Sequence, residues 1–161
     1  MLEIIGGTKK IEKHNIFPRI LIRRTGDTLC CAFLNEPALT ESTLYSCWSL
    51  NSKITNEYIL ALLNAKLLDY YLKKIMITNK QAFPQVLMTD LENLPLKIAN
   101  NNKYEKFANL SRRILNITTC DDYSNNKSKQ DQVKELEAQI DQMVYKLYDL
   151  TPEEIAIVEG K

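Results

Sequence analysis

Arg19, Arg23 and Arg24 bracket the apolar triplet Ile20-Leu21-Ile22 and are followed at once by Thr25-Gly26-Asp27. A guanidinium presents a planar fork of donors that matches the paired acceptors of a guanine edge or a phosphate. Lys9 and Lys10 precede these arginines, Lys73 and Lys74 close a helical stretch further on, and Lys80 and Gln81 lie just beyond it. Lysine attracts phosphate in a salt-dependent way, and glutamine pairs with an adenine edge. Together these residues are candidate DNA contacts. Plainer readings compete with that one: the arginines pair with acids such as Asp27 and Glu36, and the two helix-end lysines complement the negative end of the helix dipole.

Other chemistry lacks its residues. With four glycines in the chain, and Gly6-Gly7 outside any strand-loop-helix context, there is no phosphate-cradling loop. A serine or cysteine nucleophile would need the single histidine, His14, which lies in a polar leader with no partner marked by sequence. Cys30, Cys31, Cys47 and Cys120 form no CxxC pair and no cysteine-histidine cluster, so a zinc site is not expected and the thiols read as reduced and buried. Asp121-Asp122 reads as a solvated acidic pair, and Asp90 and Glu92 belong to a capping turn. The expectation is no catalytic residue, no metal ligand and no cofactor held by this chain.

Hydrophobic residues at 45% and charged residues at 25% fit a globular protein, and 161 residues suffice for one domain with an appendage. No apolar run reaches the roughly 18 residues that cross a bilayer, and the start lacks a secretory pattern, so a cytoplasmic location is expected. The charge is split. Residues 1 to 130 carry 18 Lys and Arg against 12 Asp and Glu, a net of +6, whereas residues 131 to 161 carry 3 against 8, a net of −5. A basic body can meet a polyanion while an acidic tail does something else.

The elements that position these groups follow from periodicity. Residues 1–17 read as a leader from a preceding region. Alternation makes residues 19–24 a strand with Ile20 and Ile22 on the core face and Arg19 and Arg23 outward; Arg24 shares the face of the isoleucines but sits at the strand's end. Residues 29–34 then return as a well-buried hairpin partner, and Leu44 to Leu50 forms a third strand. Thr55 or Asn56 caps a helix through Lys74, apolar over more than half its circumference. Gln85 to Met88 reads as a strand opened by Phe83-Pro84, and Lys103 to Ile117 as a helix. The expected class is therefore α+β: a small mixed or antiparallel sheet from residues 19–50 and 85–89, packed by the central helix.

Residues 18–117 form the body, 118–129 a mobile connection and 130–161 a helical packing segment. In that segment Val133, Leu136, Ile140, Met143, Leu147 and Leu150 recur every three or four residues, the seam of a helix that packs along its length on a helix of the same chain or of a neighbouring domain. Thr151, Pro152 and Glu154 supply the cap, first turn and reciprocal acid of a last short helix. A seam of this kind also supports the rival function, a protein-interaction or assembly module with a homodimer as one outcome.

Four motifs in order carry a resemblance. Arg23-Arg24-Thr25-Gly26-Asp27, the run Tyr58 to Tyr71, Phe83-Pro84-Gln85-Val86-Leu87-Met88 leading to Leu91-Glu92-Asn93-Leu94-Pro95-Leu96, and Ile140 to Ile155 resemble the TaqI-like C-terminal specificity domain. That domain is the target-recognition region of adenine-specific DNA methylases in restriction-modification systems, type IIG enzymes above all. The resemblance, over about residues 17 to 159, implies a non-catalytic module that recognises double-stranded DNA for an upstream methyltransferase domain. That upstream partner would carry the S-adenosylmethionine site and the Asn-Pro-Pro-Tyr motif, which this chain lacks. The resemblance also implies that the C-terminal helices face the methyltransferase or a symmetry mate.

Overall fold

The computed structural model describes residues 2–6, 11–76, 84–99 and 101–161. Four antiparallel strands form its sheet: β1 (Leu2–Gly6), β2 (Arg19–Arg23), β3 (Cys31–Leu34) and β4 (Leu44–Ser49), in the order β1-β4-β2-β3. The two central strands carry the Ile, Tyr and Trp that suit a pleated surface. Their register sets Ile20 opposite Cys47 and Ile22 opposite Tyr45, all four buried in the core.

The sheet's composition differs from the expectation at both ends. Residues 2–6, read as part of a leader, are a strand of the domain: Leu2 to Gly6 pair residue by residue with Ser49 to Tyr45. Gly6 is required there, because a Cβ would stand 2.8 Å from a Tyr45 ring carbon. Residues 85–89 contribute only an isolated bridge, Thr25 to Gln85. Pro84 has no N–H to give a ladder, and the chain turns at Met88 into α4 (Met88–Glu92), where the Leu87 N–H donates to the Asp90 carboxylate at 3.2 Å. β3 is an edge strand, so it is half-exposed instead of well buried, and Cys30 beside it is exposed. Cys47 alone of the four thiols is fully buried, which pushes its pKa up to about 12; burial raises Cys31 as well.

The central helix is two helices. Thr55 caps α2 (Asn56–Leu63), its hydroxyl accepting from the Tyr58 N–H at 3.4 Å. All of Tyr58 to Leu63 is buried, since α2 lies between the sheet and α5 (Asn101–Thr118). The helix then breaks at Asn64 and restarts as α3 (Lys66–Met76). Both sides of the break are used. Asn64 turns its amide to the backbone of Cys31, and the N–H of Lys66 donates to Asp141 at 2.9 Å. A short α1 (Ile11–His14) precedes β2.

The expected mobile connection is short and structured. Thr118 ends α5, a 3-10 turn covers Tyr123–Asn125, and Asn126 caps α6 (Lys127–Leu147) by accepting from the Lys129 N–H at 3.2 Å. The seam of α6 finds its partner inside this chain: α6 packs on α5 and reaches α2 and α3. Val133, Leu136, Ile140 and Leu147 are buried, while Met143 and Leu150 are half-buried. Ile140, Val144 and Leu147 join the same core as Ile20 and Ile22, so α6 contributes to the interior of the fold. The chain closes with α7 (Pro152–Val158), where Thr151 accepts from the Glu154 N–H at 3.3 Å and Glu154 accepts from the Thr151 N–H at 2.8 Å. No helix among the described residues is long and apolar enough to cross a membrane.

Candidate nucleic-acid interface

The three arginines of β2 and its end divide into three different environments. Arg19, expected to reach outward, is fully buried. Strand alternation does put it on the face opposite Ile20, but α1 and the 35–43 loop cover that face. Its guanidinium donates to the carbonyls of His14 and Ala38, and to those of Ile16 at 3.2 Å and Lys13 at 3.4 Å. Burial pulls its pKa below the ordinary arginine value. A buried cation whose two terminal nitrogens are taken by carbonyl oxygens is a structural clamp, with its buried Nε alone left without a hydrogen-bond partner among the described residues. His14 completes the same clamp: it is buried, and its Nδ1 accepts from the Thr40 N–H at 3.4 Å.

Arg23 is exposed at the end of β2 and makes no ion pair among the described residues. Its backbone N–H donates to the Cys30 carbonyl at 3.0 Å, which holds its Cα in the hairpin. Gly26, at φ 110°, lets the chain turn under it, with the guanidinium 3.2 Å from where a Cβ would stand. The competing pairing with Asp27 does not form; Asp27 accepts from the Thr28 hydroxyl at 3.1 Å.

Arg24 is half-buried and held from several sides. Its N–H donates to the Thr43 carbonyl at 2.9 Å, and its own carbonyl accepts from the Val86 N–H at 2.8 Å. The guanidinium lies 5.9 Å from the Tyr45 ring centroid, and its Nη1 donates to the Ser42 carbonyl at 3.4 Å. Tyr45 in turn is fixed through its hydroxyl, which donates to the Val86 carbonyl at 3.2 Å. No acid pairs with Arg24 among the described residues.

Lys73 and Lys74 are exposed on the last turns of α3. Lys73 pairs with Asp69 at 2.8 Å across one helical turn, and Lys74 lies 5.1 Å from the Tyr70 ring centroid. Asp69 links them to the hairpin, because its other oxygen accepts from the Leu29 N–H at 2.8 Å. The bonds from Arg23 to Cys30 and from Leu29 to Asp69 therefore place one end of β2 beside the first turn of α3, to which Lys73 reaches back through its pair with Asp69. Lys9, Lys10, Lys80 and Gln81 lie outside the described residues. No group of three or more His, Cys, Asp or Glu suited to a metal ion occurs among the described residues.

Residue types alone did not mark Tyr45 or Asn64. Tyr45 reads as one more strand aromatic, yet it carries Arg24. Asn64 reads as a polar break in a leucine-rich stripe, and that break was the available signal.

Arg23 and Arg24 at the end of β2, and Lys73 and Lys74 in the last turn of α3, are cations of a kind suited to a polyanion, and Asp69 ties Lys73 to the hairpin. A family model described as the TaqI-like C-terminal specificity domain matches residues 3–96, from β1 to the segment after α4. The match takes in the strand read as a leader and stops before α5, a narrower reach at its C-terminal side than the motifs suggested. A comparison with curated proteins finds no match.

Proposed function

Since the chain belongs to the TaqI-like C-terminal specificity domain family of restriction-modification systems, we propose that it recognises a short double-stranded DNA sequence and positions it for an adenine methyltransferase domain that binds S-adenosylmethionine. The observation that carries this reading is the exposed, unpaired Arg23 beside the half-buried Arg24, with Lys73 tied toward the same hairpin through Asp69 and Lys74 next to it on α3. Cations on rigid elements lose little conformational freedom when they meet phosphates, and those left unpaired by acids need break no ion pair first. The C-terminal helices support the same reading indirectly. Their seam is spent on the core and so is not the surface offered to a partner.

Binding of the 161-residue chain to a duplex, measured by fluorescence anisotropy over a range of salt, tests the proposal. The affinity should fall as salt rises, by a slope of about −0.9 for each phosphate neutralised. Charge reversal at Arg23 and Arg24 together should remove most of the affinity and reduce that slope. An unchanged affinity and slope in the double variant would sink the assignment of this surface.

A further inference from the structure

We infer that Arg24 reads a guanine edge in the major groove, while Arg23, Lys73 and Lys74 contact phosphates; this rests on the DNA-recognition reading above. The four cations differ in how far their direction is fixed. Arg23, Lys73 and Lys74 are exposed. A phosphate accepts from many directions, so mobile cations serve it well. A base edge is different: guanine O6 and N7 are two acceptors in one plane, and only a fork held in a matching plane meets both.

Arg24 has such a fork. Its main chain is bonded on both sides, to Thr43 and to Val86, and its guanidinium is laid against a tyrosine that is itself bonded to Val86. Its Nε is buried and has no hydrogen-bond partner among the described residues. The side-on edge of the guanidinium, Nε with one terminal nitrogen, is therefore closed to a ligand. What remains is the end-on pair, Nη1 and Nη2, with Nη1 only weakly engaged by Ser42 at 3.4 Å in an exposed position. No carboxylate among the described residues takes this pair. A planar cation on a bonded backbone, with its Nε edge buried and its end unneutralised, discriminates among acceptors by geometry. A charge meant for phosphate has no use for that.

The test is selection of duplexes from a pool with a randomised centre by the intact 161-residue chain, by Arg24→Lys and by Arg23→Lys. The wild-type chain should enrich a motif containing a G·C pair, and Arg24→Lys, which keeps the charge and loses the fork, should lose the preference at that pair by about 5- to 150-fold. Arg23→Lys should keep the motif. Replacing that guanine by 7-deazaguanine should weaken the wild-type chain and leave Arg24→Lys unaffected, in a variant whose urea midpoint matches the wild type and whose response to changes at the other pairs of the motif is retained. If the wild-type chain enriches a motif and Arg24→Lys enriches the same one, the assignment of Arg24 fails while DNA recognition stands. If the wild-type chain enriches nothing, DNA recognition itself fails and takes the assignment with it.

Discussion

The side-chain amide of Asn64 occupies both backbone groups of Cys31, its Oδ1 accepting from the Cys31 N–H and its Nδ2 donating to the Cys31 carbonyl, each at 3.0 Å. Cys31 begins the edge strand β3, whose outer groups would otherwise be free to pair with another chain. An asparagine between two helices thus stands in for one residue of a missing fifth strand. Asn64→Ala should cost about 1–2 kcal/mol in urea unfolding and speed amide exchange at Cys31. Asn64→Asp, which keeps the acceptor and loses the donor, should recover only part of the loss.

Arg19 separates stability from binding. Replacement by Met leaves the carbonyls of His14 and Ala38 buried without a donor, and each such group costs about 1–3 kcal/mol. Arg19→Met should therefore lose about 3 kcal/mol or more, while the salt slope of DNA binding, measured where the variant is still folded, stays that of the wild type. Arg23→Ala should behave in the opposite way, with little change in stability and a slope shallower by about 0.9.

Leu136 tests whether the seam of α6 is internal. It is 1% exposed, so truncation to Ala opens a cavity and should cost about 2–5 kcal/mol in a chain that sediments as before. Were the seam an assembly surface, the variant would change association and leave the unfolding midpoint where it was.

Asp141 gives a pH signature. It is buried on α6, accepts the first N–H of α3 from Lys66, and lies 3.4 Å from the Lys66 ammonium. Burial nevertheless dominates and holds its pKa above the ordinary carboxylate value, as burial does for Glu137 one turn away. The folded chain then keeps this proton to higher pH than the unfolded chain. Its contribution to stability is complete below the unfolded value and declines as pH rises through the folded one. Comparison of urea midpoints for wild type and Asp141→Asn from about pH 4 to pH 7 should show the wild type losing ground as pH rises. A constant difference across that range would contradict the assignment.

Local signals were legible from sequence where the partner of a residue lies within a turn or two. The Thr151 capping box, the Thr55 cap and the buried stripe of α2 all formed as spacing predicts. Strand alternation assigned Arg19 to the correct face but could not say what covers that face, because α1 and the 35–43 loop arrive through tertiary contact. β1 was hidden for a related reason. Five residues that end in a glycine, with a second glycine behind, carry little strand signal until Tyr45 is placed against Gly6. The seam of α6 left open a helix of the same chain or of a neighbouring domain, and the packing on α5, with α2 and α3 beside it, selects the same chain. Of the candidate contacts, charge marked Arg23 and Arg24, and the ring beneath Arg24 required the fold.

Tyr58 lies deep in the family-matched span, yet its hydroxyl donates to the Lys97 carbonyl at 2.7 Å and accepts from the Ala99 N–H at 3.0 Å, while its ring meets Phe107 edge-on at 5.5 Å. All three partners come after the last matched residue. The border drawn by family similarity is therefore not a border of folding in this chain: a graft that exchanged residues 3–96 alone would take this tyrosine away from the three partners that hold it.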